Sequence, residues 1–255
     1  MTRYLDPAAP RGLAHRGWHL GEMAGLENSM AAFRRAVDEG FHYLETDVHA
    51  TADGVAVAFH DVRLDRVTTG RGAIAAHTLA QLSDILIGGR EHIPTLVEVL
   101  EAFPDTYLNV DPKSDAVTGP LLDALLATGA HDRVCIGSFS GRRLTSLRSI
   151  LGPAVATSLA PSEVLRLLRA PRLFDRARLP EAGVVAAQVP VSARGVPLVT
   201  RRFIEAAHTR SIEVHVWTVN EATEMRRLLD LGVDGIITDR PDVLRSVYRE
   251  RGLWR

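Results

Sequence analysis

The chain is short of several things, and most of these shortages remove a class of protein. It has one cysteine, Cys135, in 255 residues. That excludes an intrachain disulfide framework and a Cys-rich zinc site, so any metal must be held by oxygen or imidazole. It has almost no net charge, −1 from 30 basic and 31 acidic residues, and no run of Lys or Arg. Nucleic acid, which needs a basic footprint, is not an expected partner. No stretch approaches the roughly 18 apolar residues of a membrane span. The first residues, Met1 to Pro7, hold no apolar core of a secretory signal, so the cytosol is the expected compartment. Low-complexity tracts and long linkers are lacking too, and one domain over residues 1–255 is expected.

What remains is ordinary globular composition, 46% hydrophobic, which is enough for a large core. Short β-branched runs at 12–15, 43–48, 107–111, 134–139, 154–158, 184–189, 213–217 and 235–238 alternate with stretches of helical period. Residues 28–39 place Met30, Phe33, Ala36 and Val37 on one face, and Gly40 is a natural stop. Residues 221–231 do the same with Met225, Leu228 and Leu229, ended by Gly232, and Asn220 stands where an N-cap belongs. Strand–helix alternation predicts a parallel sheet, and eight units in this length predict a closed (β/α)8 TIM barrel. The alternative, an open doubly wound sheet, lacks its G-x-G-x-x-G after the first strand. An extra strand at 55–59 and a glycine-punctuated segment at 61–93 break the alternation. They predict a small insertion after the second strand, folded over the barrel mouth. Arg169 to Arg178 reads as a solvated loop.

In such a barrel the chemistry lies at the C-terminal ends of strands. Here those ends carry His15 and Arg16, Glu45 and Asp47, Asp111 and Lys113, and Trp217, while the extra strand ends in His60 and Asp61. Glu45 and Asp47 are i and i+2 on a strand and point to one side. Two anions together inside a barrel repel unless a cation lies between them. Asp111 on the adjacent strand adds a third carboxylate, and an all-oxygen set suits a hard divalent ion such as Mg2+ or Ca2+. His15 and His60 flank the carboxylates and are candidates for an acid and a base, since imidazole titrates near neutrality. Arg16 and Lys113 suit the oxygens of a phosphate. The remaining histidines, His215 among them, form no cluster and read as structural or surface residues.

Several ordered motifs here resemble the glycerophosphodiester phosphodiesterase family. They include Ala14-His15-Arg16-Gly17, Glu27-Asn28-Ser29, Glu45-Thr46-Asp47-Val48, Thr51-Ala52-Asp53-Gly54 and His60-Asp61 with Leu64-Asp65-Arg66. Later ones are Ile93-Pro94-Thr95-Leu96, Ser138-Phe139, Trp217-Thr218-Val219-Asn220 and Gly232 through Pro241, so the likeness runs from about 11 to 244. The resemblance implies a (β/α)8 barrel with a small insertion and a divalent ion, Mg2+, Ca2+ or Mn2+, on Glu45, Asp47 and a third-strand carboxylate. It also implies His15 and His60 as the acid–base pair. The third ligand position is usually Glu in that family; here Asp111 is one methylene shorter. Glu27 is expected to orient Arg16 or Lys113, to join the ion's surroundings, or to serve as a helix N-terminal acid. Trp217 is expected to pack against a substrate's glycerol or head group. The implied reaction is metal-dependent hydrolysis of a glycerophosphodiester, a small-molecule substrate, to glycerol 3-phosphate and an alcohol. Rival readings are a lysophospholipase D-like enzyme, with an apolar groove near Ile74, Leu79, Leu82, Ile85 and Ile87, and a silent phosphodiester-binding barrel.

Overall fold

A computed structural model of the chain describes residues 2–6, 8–169 and 183–254. Nine strands share one sheet: β1 Arg11–His15, β2 Tyr43–Ala50, β3 Ala56–Ala58, β4 Tyr107–Pro112, β5 Val134–Ile136, β6 Ala156–Ser158, β7 Val184–Pro190, β8 Glu213–Trp217 and β9 Gly235–Thr238. Their order is β1-β9-β8-β7-β6-β5-β4-β2-β3, and β1 pairs in addition with β2, which closes the order on itself. The pairs β2–β4, β5–β6, β6–β7, β7–β8 and β8–β9 are parallel, whereas β3 runs antiparallel on β2. With β3 set aside, this is the expected (β/α)8 barrel topology. Among the described residues no helix is long and apolar enough to cross a membrane. Of the expected loop at 169–178, all but Arg169 lies outside the described residues.

The chain divides into two compact units. The first, Ala14–Val134, carries β2 to β4 with helices α1 Met30–Asp38, α2 Leu96–Ala102 and α3 Thr118–Thr128. All eight residues of β2 are buried, as expected of a strand covered on both faces. Helix α1 starts where Ser29 accepts from the Ala32 amide, and it buries Ala32, Phe33 and Ala36. The 61–93 segment is turns, a one-turn helix Leu79–Leu82 and a short antiparallel pair, Leu86–Ile87 with Glu91–His92. It has its own core: Leu64, Ile74, Leu82, Ile87 and Ile93 pack on Leu26, Val57 and Phe59. Leu79 and Ile85 pack against the same cluster. Apolar residues that offered a lipid groove in the sequence are therefore spent on holding the insertion down.

The second unit, Met1–Leu13 with Cys135–Arg255, repeats strand and helix from helix Gly141–Leu151 to Pro241–Glu250. Two expected strands are shorter than their apolar runs. β5 stops before Gly137, where a Cβ would stand 2.9 Å from the Gln188 amide oxygen. Before β6, Pro153 starts a 3-10 turn that takes Ala154 out of the strand. His215 is fully buried with Nε2 3.0 Å from Glu213, which also pairs with Arg11.

Candidate active site

The turn after β1 sets the geometry. Arg16 and Gly17 both have positive φ, 57° and 82°. A Cβ at Gly17 would lie 2.7 Å from the Ala32 carbonyl carbon, so only glycine fits. Arg16 has no such excuse and is held there at a cost of about 1–3 kcal/mol. Its amide donates to the Glu45 carbonyl at 2.9 Å. Its side chain reaches Oε1 of Glu27 at 3.0 Å and Oδ2 of Asp47 at 3.2 Å. Asn28 is also left-handed, at φ 58°. It donates to Oδ2 of Asp47 at 3.3 Å and accepts from Thr46 at 2.8 Å. Nothing in the sequence gave Asn28 a role beyond its place beside Glu27.

Glu45 and Asp47 lie buried on β2, 6% and 2% exposed. Oε2 of Glu45 is 3.6 Å from Nε2 of His15 and 3.3 Å from the Arg16 amide. Burial, then the charge of Asp47, pushes the Glu45 carboxyl up to about 7, against the pull of His15, Lys113 and Arg16. Asp47 stands opposite Asp111 in the β2–β4 register. Lys113 bridges them, with Nζ 2.5 Å from Asp47 and 2.7 Å from Asp111. Burial would pull this ammonium down, but the two carboxylates outweigh it and raise it above the usual lysine range.

His60 follows β3. Its Nδ1 is 2.6 Å from Oδ1 of Asp61, and its carbonyl meets Nε2 of His49 at 3.0 Å. Arg66, which carried no role in the sequence reading, binds Asp61 at 2.6 Å and Glu27 at 2.6 Å. Glu27 is thus neither a helix-capping acid nor a partner of Lys113: it joins Arg16 to Arg66. Burial works against its ionisation, but hydrogen bonds and charge from those two arginines outweigh it and lower its carboxyl.

Among the described residues no three His, Cys, Asp or Glu side chains converge as a ready-made metal cage. Glu45, Asp47 and Asp111 do share adjoining strand positions, with Lys113 between the last two. Five carboxylates, Glu27, Glu45, Asp47, Asp61 and Asp111, face three permanent cations, Arg16, Lys113 and Arg66. With Glu45 ionised the deficit is two charges, and that, with the hard-oxygen character of the donors, suits one divalent ion.

In the second unit, Trp217 ends β8, half-buried, with its ring edge-on to Phe139 at 5.6 Å. Phe139 is 68% exposed. Asn220 does not cap the following helix, whose N-cap is Glu221. Its side chain instead accepts from the Asp239 amide at 2.9 Å and from Thr238 at 3.1 Å. It therefore joins the loop after β8 to the end of β9.

A family model described as the glycerophosphoryl diester phosphodiesterase family matches residues 11–243. The chain belongs to that family. It is 40% identical to a Mycobacterium tuberculosis protein named "probable glycerophosphodiester phosphodiesterase 2", over 99% of this chain and 96% of the relative. It is 30% identical to a glycerophosphodiester phosphodiesterase of Caldanaerobacter subterraneus, over 92% and 97% of the two chains. Its fold is similar to that of an Oleispira antarctica phosphodiesterase solved with the product sn-glycerol-3-phosphate. There the TM-score is 0.77 at 24% identity, covering 94% of this chain and 97% of the other.

Proposed function

We propose that the protein hydrolyses glycerophosphodiesters to glycerol 3-phosphate and an alcohol, with His15 and His60 as its acid–base pair. The observation that carries this reading is the ion-pair network at the ends of β1, β2 and β4 in a chain of this family. Two imidazoles border it, and Arg16 and Lys113 lie inside it.

Arg16 has five N–H donors and uses two side-chain contacts on Glu27 and Asp47, so donors remain for a phosphoryl oxygen. Lys113 has three protons and two carboxylate partners, and the third proton serves a second oxygen. His15, beside the high-pKa Glu45 carboxyl, takes the proton of the attacking oxygen. Water and the substrate's own glycerol 2-hydroxyl both suit that base. His60, with Nδ1 on Asp61, keeps Nε2 for protonating the departing alkoxide. Such acid assistance is worth about 10²–10⁴ in rate. Glu45, Asp47 and Asp111 would hold the divalent ion, Mg2+, Ca2+ or Mn2+. When bound it supplies a Lewis acid for a phosphoryl oxygen. Ile74, Leu82 and Ile87 of the insertion are buried and present little surface to an acyl chain, which favours the unacylated substrate.

Product analysis with glycerophosphocholine tests the reading. The expected products are glycerol 3-phosphate and choline. Formation of glycerol and phosphocholine, or of no product, would overturn it.

A further inference from the structure

His60 is paired with the residue next to it in the chain, Asp61, at 2.6 Å. Nothing in a loop forces adjacent side chains to meet in this way, and Asp61 is open enough for water to compete. Arg66 supplies the missing constraint. Its Nε and Nη2 grip both oxygens of Asp61 at 2.6 and 3.0 Å. The same guanidinium grips both oxygens of Glu27 at 2.9 and 2.6 Å through Nη1 and Nη2. Glu27 in turn accepts from Arg16 at 3.0 Å. Apolar packing brings these parts together. Leu64, two residues before Arg66, and Leu26, one before Glu27, are buried in the same cluster.

We propose that Arg66, clamped between Glu27 and Asp61, is a positioning residue that fixes the His60 imidazole and ties it through Glu27 to Arg16. This rests on the reading of His60 as the general acid. An ionised Asp61 accepts from Nδ1–H and leaves Nε2 as the atom that hands over the proton. Arg66 fixes the orientation of the Asp61 carboxylate by gripping both its oxygens and, chiefly through its hydrogen bond, holds the carboxyl down at about 2. Its planar fork engages two carboxylates at once, which a lysine ammonium cannot copy. The insertion after the second strand thereby contributes to catalysis without contacting substrate.

The test compares wild type with Arg66→Met, Arg66→Lys and His60→Gln on two esters of glycerol 3-phosphate. The choline ester has an alkoxide that needs a proton to leave; the p-nitrophenyl ester has a phenolate that leaves unaided. Both Arg66 variants are expected to lower kcat on the choline ester about 10²-fold and on the p-nitrophenyl ester less than about threefold. His60→Gln should show the same selectivity more strongly. The Arg66 side chain is 48% exposed, so both substitutions leave the core untouched. Equal losses on the two esters from the Arg66 variants would mark a merely structural role and overturn the inference. Selective loss in His60→Gln with none in the Arg66 variants would overturn the inference alone. An unselective or absent loss in His60→Gln would overturn the acid assignment and the inference with it.

Discussion

In the metal-free protein, stability should fall as pH rises from about 4.5 to about 7, and Glu45 should be the cause. Its carboxyl is raised from 4.5 to about 7 by burial and by Asp47. Within that window the folded chain holds a proton that the unfolded chain has released, so raising the pH favours unfolding. Below 4.5 both states are protonated and above 7 both are ionised, so the effect is confined between those limits. At about 1.4 kcal/mol for each unit, the loss is about 3 kcal/mol across the window. For a chain of this size that is roughly 10 °C in Tm. Glu45→Gln keeps the buried group neutral at every pH and should remove this slope. The assay is thermal unfolding of wild type and Glu45→Gln in EDTA from pH 4.5 to 8, read as the difference between the two curves. A divalent ion needs the ionised carboxylate, so its affinity should weaken about tenfold per pH unit below 7 in wild type. A difference curve that is flat, or that rises with pH, would refute the raised carboxyl assigned to Glu45.

Other expectations follow from the same geometry. His15→Ala and His60→Ala should each lower kcat on glycerophosphocholine by about 10²–10⁴ with unchanged circular dichroism; near-wild-type rates would remove that residue from the acid–base pair. Asp111→Asn should weaken ion binding at least about tenfold by calorimetry, and unchanged binding would shift the third ligand, with Glu27 next in line. Gly17→Ala, with a Cβ 2.7 Å from the Ala32 backbone and φ 82°, should cost about 2–4 kcal/mol in urea unfolding. Because the insertion's apolar residues are buried, lysophosphatidylcholine should not be turned over faster than glycerophosphocholine; a large preference for the acylated substrate would favour the lysophospholipase D-like reading.

Much of this was legible in the residues themselves. Strand–helix alternation is a property of local pattern, and it survives in the structure with strand ends moved by a few residues. Of the two shortened runs, one stops before Gly137 and the other begins after the 3-10 turn that holds Pro153. His15, Glu45, Asp47 and Asp111 were visible because charged groups at the ends of apolar strands need a reason. Arg66 was not visible. It lies 39 residues from Glu27 in a 3-10 turn, and the apolar cluster that holds both Leu64 and Leu26 brings the pair together. Asn28 was hidden likewise, since a left-handed backbone at a non-glycine residue leaves little trace in composition. Asn220 was misread because its true partners, Thr238 and Asp239, belong to the next strand end.

The most direct measurement is glycerol 3-phosphate release from glycerophosphocholine and glycerophosphoethanolamine by the wild-type chain in Mg2+, Ca2+, Mn2+ or EDTA. The account predicts release with at least one ion, its loss in EDTA, and its return when the ion is restored. Release undiminished by EDTA, or no release from either substrate while an ion is bound, would contradict it.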